Sequence, residues 1–240
     1  MTQPLFRVDA YLRSAPGRVI DHTAEGGIVL DVSLFHPTGG GQPGDAGRLV
    51  WDGGGIDIAT TVRGQGSDIV LVPAEPAPLP VIGTRVTQSL VWDRRHRLMR
   101  MHTALHLLSA VLARPVAGGH VGTEKSRLDI EMEDAMPDRI AVGRALSALI
   151  AGDLPVTAEV IGADDLAARP ALIRTAVARP PRDAGDIRLI RIGTADATVD
   201  LQPCGGTHVA TTAEIGQIEI GKIERKGRTH RRVYLHLAGA

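Results

Sequence analysis

"DRRHRLMRMHTALHLLSAVLAR" (residues 93–114) decides how the chain is divided. Its apolar residues Leu98, Met101, Leu105, Leu108 and Leu112 recur at intervals of three and four, the stripe of one helical face. Asp93 is the expected N-cap, and Pro115 followed by Gly118 and Gly119 ends the helix. Nothing upstream has this period. Residues 5–12, 26–35, 47–51, 55–63, 68–73 and 85–92 are short runs, most of them rich in Val, Ile and Leu, separated by Gly, Asp or Pro, and read as strands. The Pro-rich stretch 73–83 reads as an exposed crossing between two of them. Strands so spaced predict a small β-barrel or sandwich.

Downstream the pattern is mixed. A strand is expected at 127–132 and a helix at 138–152, started by Pro137. Strands follow at 154–162, 186–193, 214–225 and 231–237, with a short helix within 163–174 broken by Pro170. Helices on one face of a mainly antiparallel sheet accommodate this order. The expected fold class is α+β: an N-terminal β-barrel over residues 1–90, then a two-layer α+β domain over 91–240.

Composition narrows the function. The 240 residues are 43% hydrophobic and 22% charged, as in ordinary globular proteins. Aromatic residues make up only 2%, so Val, Ile, Leu and Ala must build the core. Twenty-seven basic residues balance 27 acidic ones, so any nucleic-acid contact has to come from local patches. A single cysteine rules out a disulfide framework. The N-terminus lacks the apolar segment of a signal peptide, and no run is long enough to span a bilayer. The expected setting is the cytoplasm, with no membrane partner.

That one cysteine stands in "CGGTH" (204–208), four residues before His208. His102 and His106 form a second pair at i and i+4, which puts both rings on one helical face. Either pair alone has a plain structural reading as packed, hydrogen-bonded side chains. Together, three imidazoles and a thiolate make a tetrahedral donor set of the kind zinc prefers. A zincin protease is excluded, because Thr103 stands where H-E-x-x-H requires the glutamate base.

"FHPTGGGQPGDAG" (35–47) contains G-x-G-x-x-G, yet Pro43 interrupts it and a strand, not a helix, follows. A dinucleotide site needs that helix, and no Lys-Ser or Lys-Thr makes it a P-loop. A tight hairpin explains the glycines. The added polarity of His36, Gln42 and Asp45 leaves room for substrate contact, with Gly40, Gly41 and Asp45 as candidates. Two stretches are basic: 94–100, leading into the helix, and "KIERKGRTHRR" (222–232), across a hairpin turn. The second can be a solvated hairpin or a phosphate-binding one, through Lys222, Arg225, Lys226 and Arg228.

"HTALHLLSAVL", "CGGTHV", "HPTGGGQPGDAG" and "TTAEIGQIEIGKIERKG" together resemble the editing domain of alanyl-tRNA synthetase. More closely, the chain resembles the free-standing alanyl-tRNA editing proteins, the AlaX group, over about residues 5–237. The resemblance implies hydrolysis of tRNA(Ala) mischarged with serine or glycine. It implies one Zn2+ per chain on His102, His106, Cys204 and His208, and the barrel-plus-α+β fold shared with threonyl-tRNA synthetase. The length leaves no room for a class II aminoacylation segment, so a complete synthetase is not expected. Residues 118–130 resemble the family's pocket wall, with Thr123 as the partner of the serine hydroxyl. Gln42, or a hydroxyl of the tRNA itself, is the candidate for orienting water. Synthetases tend to read Gln-Lys-Gly where this chain has Gly122-Thr123-Glu124-Lys125. The competing reading is a zinc-stabilised tRNA-binding module without catalysis. A zinc hydrolase of small esters or amides is a weaker third, against which the basic stretches argue.

Overall fold

A computed structural model describes residues 1–133, 136–169, 172–173 and 186–238. Pro170, expected to break a short helix, lies outside them. The chain divides into two compact units, Met1–His96 and Arg97–Ala240.

In the first unit six antiparallel strands close a barrel in the order β2-β3-β7-β6-β5-β8. They are β2 (Ser14–His22), β3 (Ile28–Leu30), β5 (Gly47–Trp51), β6 (Gly54–Arg63), β7 (Ile69–Pro73) and β8 (Arg85–Leu90). A two-residue strand β1 (Gln3–Pro4) pairs in parallel with β4 (Val32–Ser33) outside the barrel order. Closure removes the exposed edges that open sheets must otherwise protect. Inward residues Val19, Ile28, Leu30, Leu49, Ile56, Ile58, Leu71 and Val86, with Phe6 and Phe35, form its core. β5 and β6 show why the alternation is legible: Leu49 pairs with Ile56 and Gly47 with Ile58, while the intervening Arg48–Asp57 pair faces out.

Two expectations for this unit change. Residues 5–12 do not form a strand: Leu5–Val8 is one turn of helix, α1, closed by the Asp9 amide on the Leu5 carbonyl at 3.0 Å. Conversely β2, with Pro16 and Gly17 inside it, was not expected. A proline normally demotes a run from strand to edge or loop. Here Gln88, fully buried, ties down the backbone around the proline. Its Nε2 donates to the Pro16 and Val32 carbonyls at 3.3 and 3.1 Å, and its Oε1 accepts from the Leu34 amide at 3.0 Å. A Cβ on Gly17 would lie 2.9 Å from that amide nitrogen, so the glycine makes room for it.

The helix α2 spans Trp92–Leu112, so Asp93 falls inside the first turn and is not the cap. It ends at Ala113, which takes a positive φ of 49° ahead of Pro115. Its buried residues include Leu98, Met99, Met101, Ala104, Leu105, Leu107 and Leu108, a face wider than the predicted stripe.

The second unit holds two antiparallel sheets. One has the order β14-β15-β10-β9, from β9 (Val116–His120), β10 (Lys125–Glu131), β14 (Ile218–Lys226) and β15 (His230–Leu237). The other is β11-β12-β13, from β11 (Val156–Gly162), β12 (Asp186–Gly193) and β13 (Thr198–Pro203). Gly118 and Gly119, expected to follow the helix as a break, belong to β9, and β13 was not expected at all. Helix α3 (Arg139–Ala151) is capped by Asp138, whose carboxylate accepts from the Ile140 and Ala141 amides. A short α4 (Ala163–Ala167) packs on β11. Residues 214–215, read as strand, lie instead in a 3-10 turn, Thr212–Ile215, held by a Thr211–Glu214 capping box. The described residues thus form a six-stranded barrel and mixed sheets, with few helices. Among the described residues no helix is long and apolar enough to cross a membrane.

Candidate metal centre

Helix α2 and the loop after β13 bring His102, His106, Cys204 and His208 together in the second unit, and one donor atom from each lies within 4.8 Å of every other. Cys204 Sγ is 3.6 Å from His102 Nε2 and 3.3 Å from His208 Nε2. Zinc bonds of about 2.3 Å to sulfur and 2.0–2.1 Å to nitrogen give a tetrahedral S···N edge of roughly 3.6 Å. Both S···N distances are near that edge, so the cluster could hold a metal ion of that size.

The far side of two rings is held in the tautomer that ligation needs. Asp200 Oδ2 lies 2.9 Å from His106 Nδ1, and Gln202 Nε2 donates to the same oxygen at 2.8 Å. Thr103 Oγ1 donates to the Met99 carbonyl at 2.9 Å, which leaves a lone pair for His208 Nδ1 at 3.1 Å. A proton on each Nδ1 frees each Nε2 lone pair for the cage. The loop itself is pinned by Arg188, whose Nη1 donates to the carbonyls of Cys204 and Gly206 at 2.8 and 2.9 Å.

Without a metal ion, electrostatics favour the thiolate and a neutral His208 but a protonated His106. Burial opposes charge on His106, but its hydrogen bonds to Asp200 and Cys204 outweigh burial and raise its pKa to about 10. Burial likewise opposes a thiolate at Cys204, yet the charge on His102 and the hydrogen bonds from His102 and His106 hold the thiol well below its ordinary value. Burial, then the charge on His102, pushes His208 well down. A neutral imidazole and a thiolate are the ligating forms, and the remaining proton is the one a metal ion displaces. Asp200→Ala is expected to weaken metal binding about 10–100-fold while the far-UV circular dichroism is unchanged, as read by competition with a chelator. An unaltered affinity would mean that Asp200 does not orient His106.

Sequence reasoning found the four donors and missed their supports. Asp200 and Gln202 share one face of β13 by its two-residue period, both buried. Those polar residues at inward positions are also why β13 did not read as a strand. Thr103 drew notice only for what it is not, a glutamate.

The other candidates fall in several places. Gly40 and Gly41 form the tip of a turn closed by reciprocal Gly39–Gln42 backbone bonds of 3.0 Å, with φ of 59° and 82°. Gln42 is buried in the first unit. Asp45, expected as a substrate contact, is enclosed instead in a structural pair. Its carboxylate takes Arg95 Nε at 2.9–3.0 Å and Arg95 Nη2, and accepts from the His36 amide at 2.6 Å. Most of the basic stretch 94–100 is used within the fold: Arg94 donates to the Gly44 carbonyl and Arg100 to the Ile215 carbonyl, while the Arg97 side chain stays partly exposed. Thr123 occupies the bend between β9 and β10 and is half-buried. On the β14–β15 hairpin, Arg225, Lys226 and Arg228 are exposed, and Lys222 is exposed with a 2.8 Å contact to Glu224. Arg231 is buried and Arg232 is engaged with Asp129, so the hairpin offers fewer cations than its sequence suggests.

Donors of this type on this fold mark a class. A family model described as the threonyl and alanyl tRNA synthetase second additional domain matches residues 187–234. Across nearly the whole chain the likeness is narrower. An alanyl-tRNA editing protein AlaX-M of Methanosarcina acetivorans is 31% identical over 99% of this chain and 99% of its own. One from Saccharolobus solfataricus is 32% identical over 98% of each. The alanine–tRNA ligase of Pyrobaculum neutrophilum is 34% identical over 93% of this chain, which spans 25% of that enzyme. The chain belongs to the alanyl-tRNA editing protein family.

Proposed function

We propose that the protein hydrolyses the ester joining serine, or glycine, to tRNA(Ala), with one zinc ion held by His102, His106, Cys204 and His208. The observation that carries this reading is the four-donor cage with His106 and His208 fixed from behind, in a chain whose relatives are named for alanyl-tRNA editing. Bound zinc supplies Lewis acidity toward an ester carbonyl or water. The residues of this chain do the rest. Asp200 and Thr103 hold the rings, Arg188 holds the CGG turn, and the exposed cations of the β14–β15 hairpin offer phosphate contacts.

Selectivity has a physical basis. Serine exceeds alanine by a hydroxyl, which a site built to pair with it can demand, because alanine would leave a buried polar group unsatisfied. Thr123 is the residue proposed for that contact. Thr123→Val is expected to lower the serine-over-alanine ratio of kcat/KM about tenfold, the worth of one hydrogen bond of roughly 1.4 kcal/mol. An unchanged ratio would remove Thr123 from the pocket.

Four protein donors are also the number of a structural zinc site, whereas catalytic sites commonly keep one position open. That count favours a second reading, a zinc-stabilised tRNA-binding module without catalysis. Deacylation of tRNA(Ala) charged separately with serine, glycine and alanine separates the two. Release of serine with alanine spared supports editing, and tight tRNA binding with every ester intact supports the module.

A further inference from the structure

The first unit has no lysine; its cations are eight arginines, set against ten acidic side chains. Five of the arginines are committed. Arg13 lies over the Trp92 ring, Arg18 donates to the Gly83 carbonyl, Arg48 pairs with Asp57, Arg94 reaches the Gly44 carbonyl and Arg95 pairs with Asp45. Arg7, Arg63 and Arg85 are not: none has an acidic partner among the described residues, although acidic side chains outnumber basic ones in this unit.

Arg63 borders the glycine turn, and Arg7 lies near enough to Arg63 to feel its charge. Arg63 lies across Gly39, where a Cβ would stand 3.0 Å from its Nη2 and 3.2 Å from its Nε. A side chain there would press on the guanidinium. Arg7, in the single turn of α1, is solvent-accessible though partly enclosed. Burial first, and then the Arg63 charge, hold its pKa below the ordinary value, so the two cations feel each other. Beside them the Gly40 and Gly41 amides are exposed and meet no acceptor among the described residues. The turn is anchored from beneath. The Thr38 amide donates to the Thr61 carbonyl at 2.8 Å, and Gly44 packs on the Thr61 backbone so closely that a Cβ would stand 2.0 Å from its oxygen.

Two like charges held together without a counter-charge repel, and an anion between them relieves that repulsion. Guanidinium forks match phosphate oxygens bidentately, and adjacent backbone amides in a turn form a concavity suited to anions. We propose that Arg7, Arg63 and the Gly40–Gly41 amides form a phosphate-binding site on the barrel. The phosphodiester backbone of RNA is its natural source, a point that rests on the function proposed above.

Two measurements test the site, with Arg85→Gln as a control for loss of an exposed arginine from the same unit. In the first, inorganic phosphate is titrated into the full chain labelled with nitrogen-15. The Gly40 and Gly41 amide resonances are expected to shift in the wild type and in Arg85→Gln, and to stay still in Arg7→Gln/Arg63→Gln. In the second, tRNA(Ala) affinity is followed from 50 to 200 mM salt. The slope of log K against log salt is expected to flatten by about 0.9 in the double variant, for one lost phosphate contact. A phosphate response with an unchanged slope assigns the site to free phosphate. Neither response, or the same flattening in Arg85→Gln, overturns the proposal. If the slope flattens while serine is never released from tRNA(Ala), the proposed function fails and this site stands. Serine release with neither phosphate response nor slope change gives the reverse.

Discussion

Cys204→Ala is expected to abolish both stoichiometric zinc and deacylation of Ser-tRNA(Ala). Four-ligand zinc sites carry roughly 10–16 kcal/mol of apparent binding free energy, so one ligand is worth about 3 kcal/mol, or at least ~100-fold in affinity. The loss should exceed that share. The chain has no second cysteine to replace this thiolate, whose charge would offset part of the metal's. Its removal also leaves three buried imidazoles facing one another, with ring centroids of 4.4–5.2 Å and no anion among them at the cage. Metal content by mass spectrometry under native conditions and the deacylation rate, both on the same sample, check this. A variant that retains one zinc per chain would show that Cys204 is not a ligand.

Asp45→Ala is expected to destabilise the first unit by about 3–5 kcal/mol, the cost of leaving a buried charge without its partner. Arg95 is 1% exposed, and its guanidinium is satisfied by Asp45, the Ala10 carbonyl at 3.0 Å and the Leu34 carbonyl at 2.7 Å. No solvent stands ready to replace the carboxylate. Asp45 also receives the His36 amide, so its loss frees the base of the glycine turn. Trp51 and Trp92, the only tryptophans, both belong to this unit, so the urea midpoint of their fluorescence reads the effect directly. The double variant Asp45→Leu/Arg95→Met should recover part of the loss, because it removes the unpaired charge. A change below about 1 kcal/mol in the single variant would mean that Arg95 finds other compensation.

What the sequence disclosed follows from period and chemistry. The barrel strands at 47–51 and 55–63 alternate cleanly, and α2 carries an unbroken stripe, so both were legible. The four donors were legible because histidines one helical turn apart, and a lone cysteine four residues from a histidine, have few other uses. What stayed hidden was supplied from a distance. β2 survives its proline because Gln88, some 70 residues away, bonds the backbone around it. β13 was obscured by Asp200 and Gln202, whose polarity serves His106, 94 and 96 residues away. Charge was misleading for a similar reason. Arg95, Arg100, Arg231 and Arg232 look like a nucleic-acid surface in a list of residues, and the fold uses each of them internally.

The most direct test is zinc reconstitution. The chain is stripped by chelation, zinc is returned in measured equivalents, and Ser-tRNA(Ala) and Ala-tRNA(Ala) are followed side by side. Serine release that rises linearly to a plateau at one equivalent, with alanine retained throughout, is the predicted result. A fully loaded, folded protein that binds tRNA(Ala) and releases neither amino acid would contradict the proposal of an editing hydrolase.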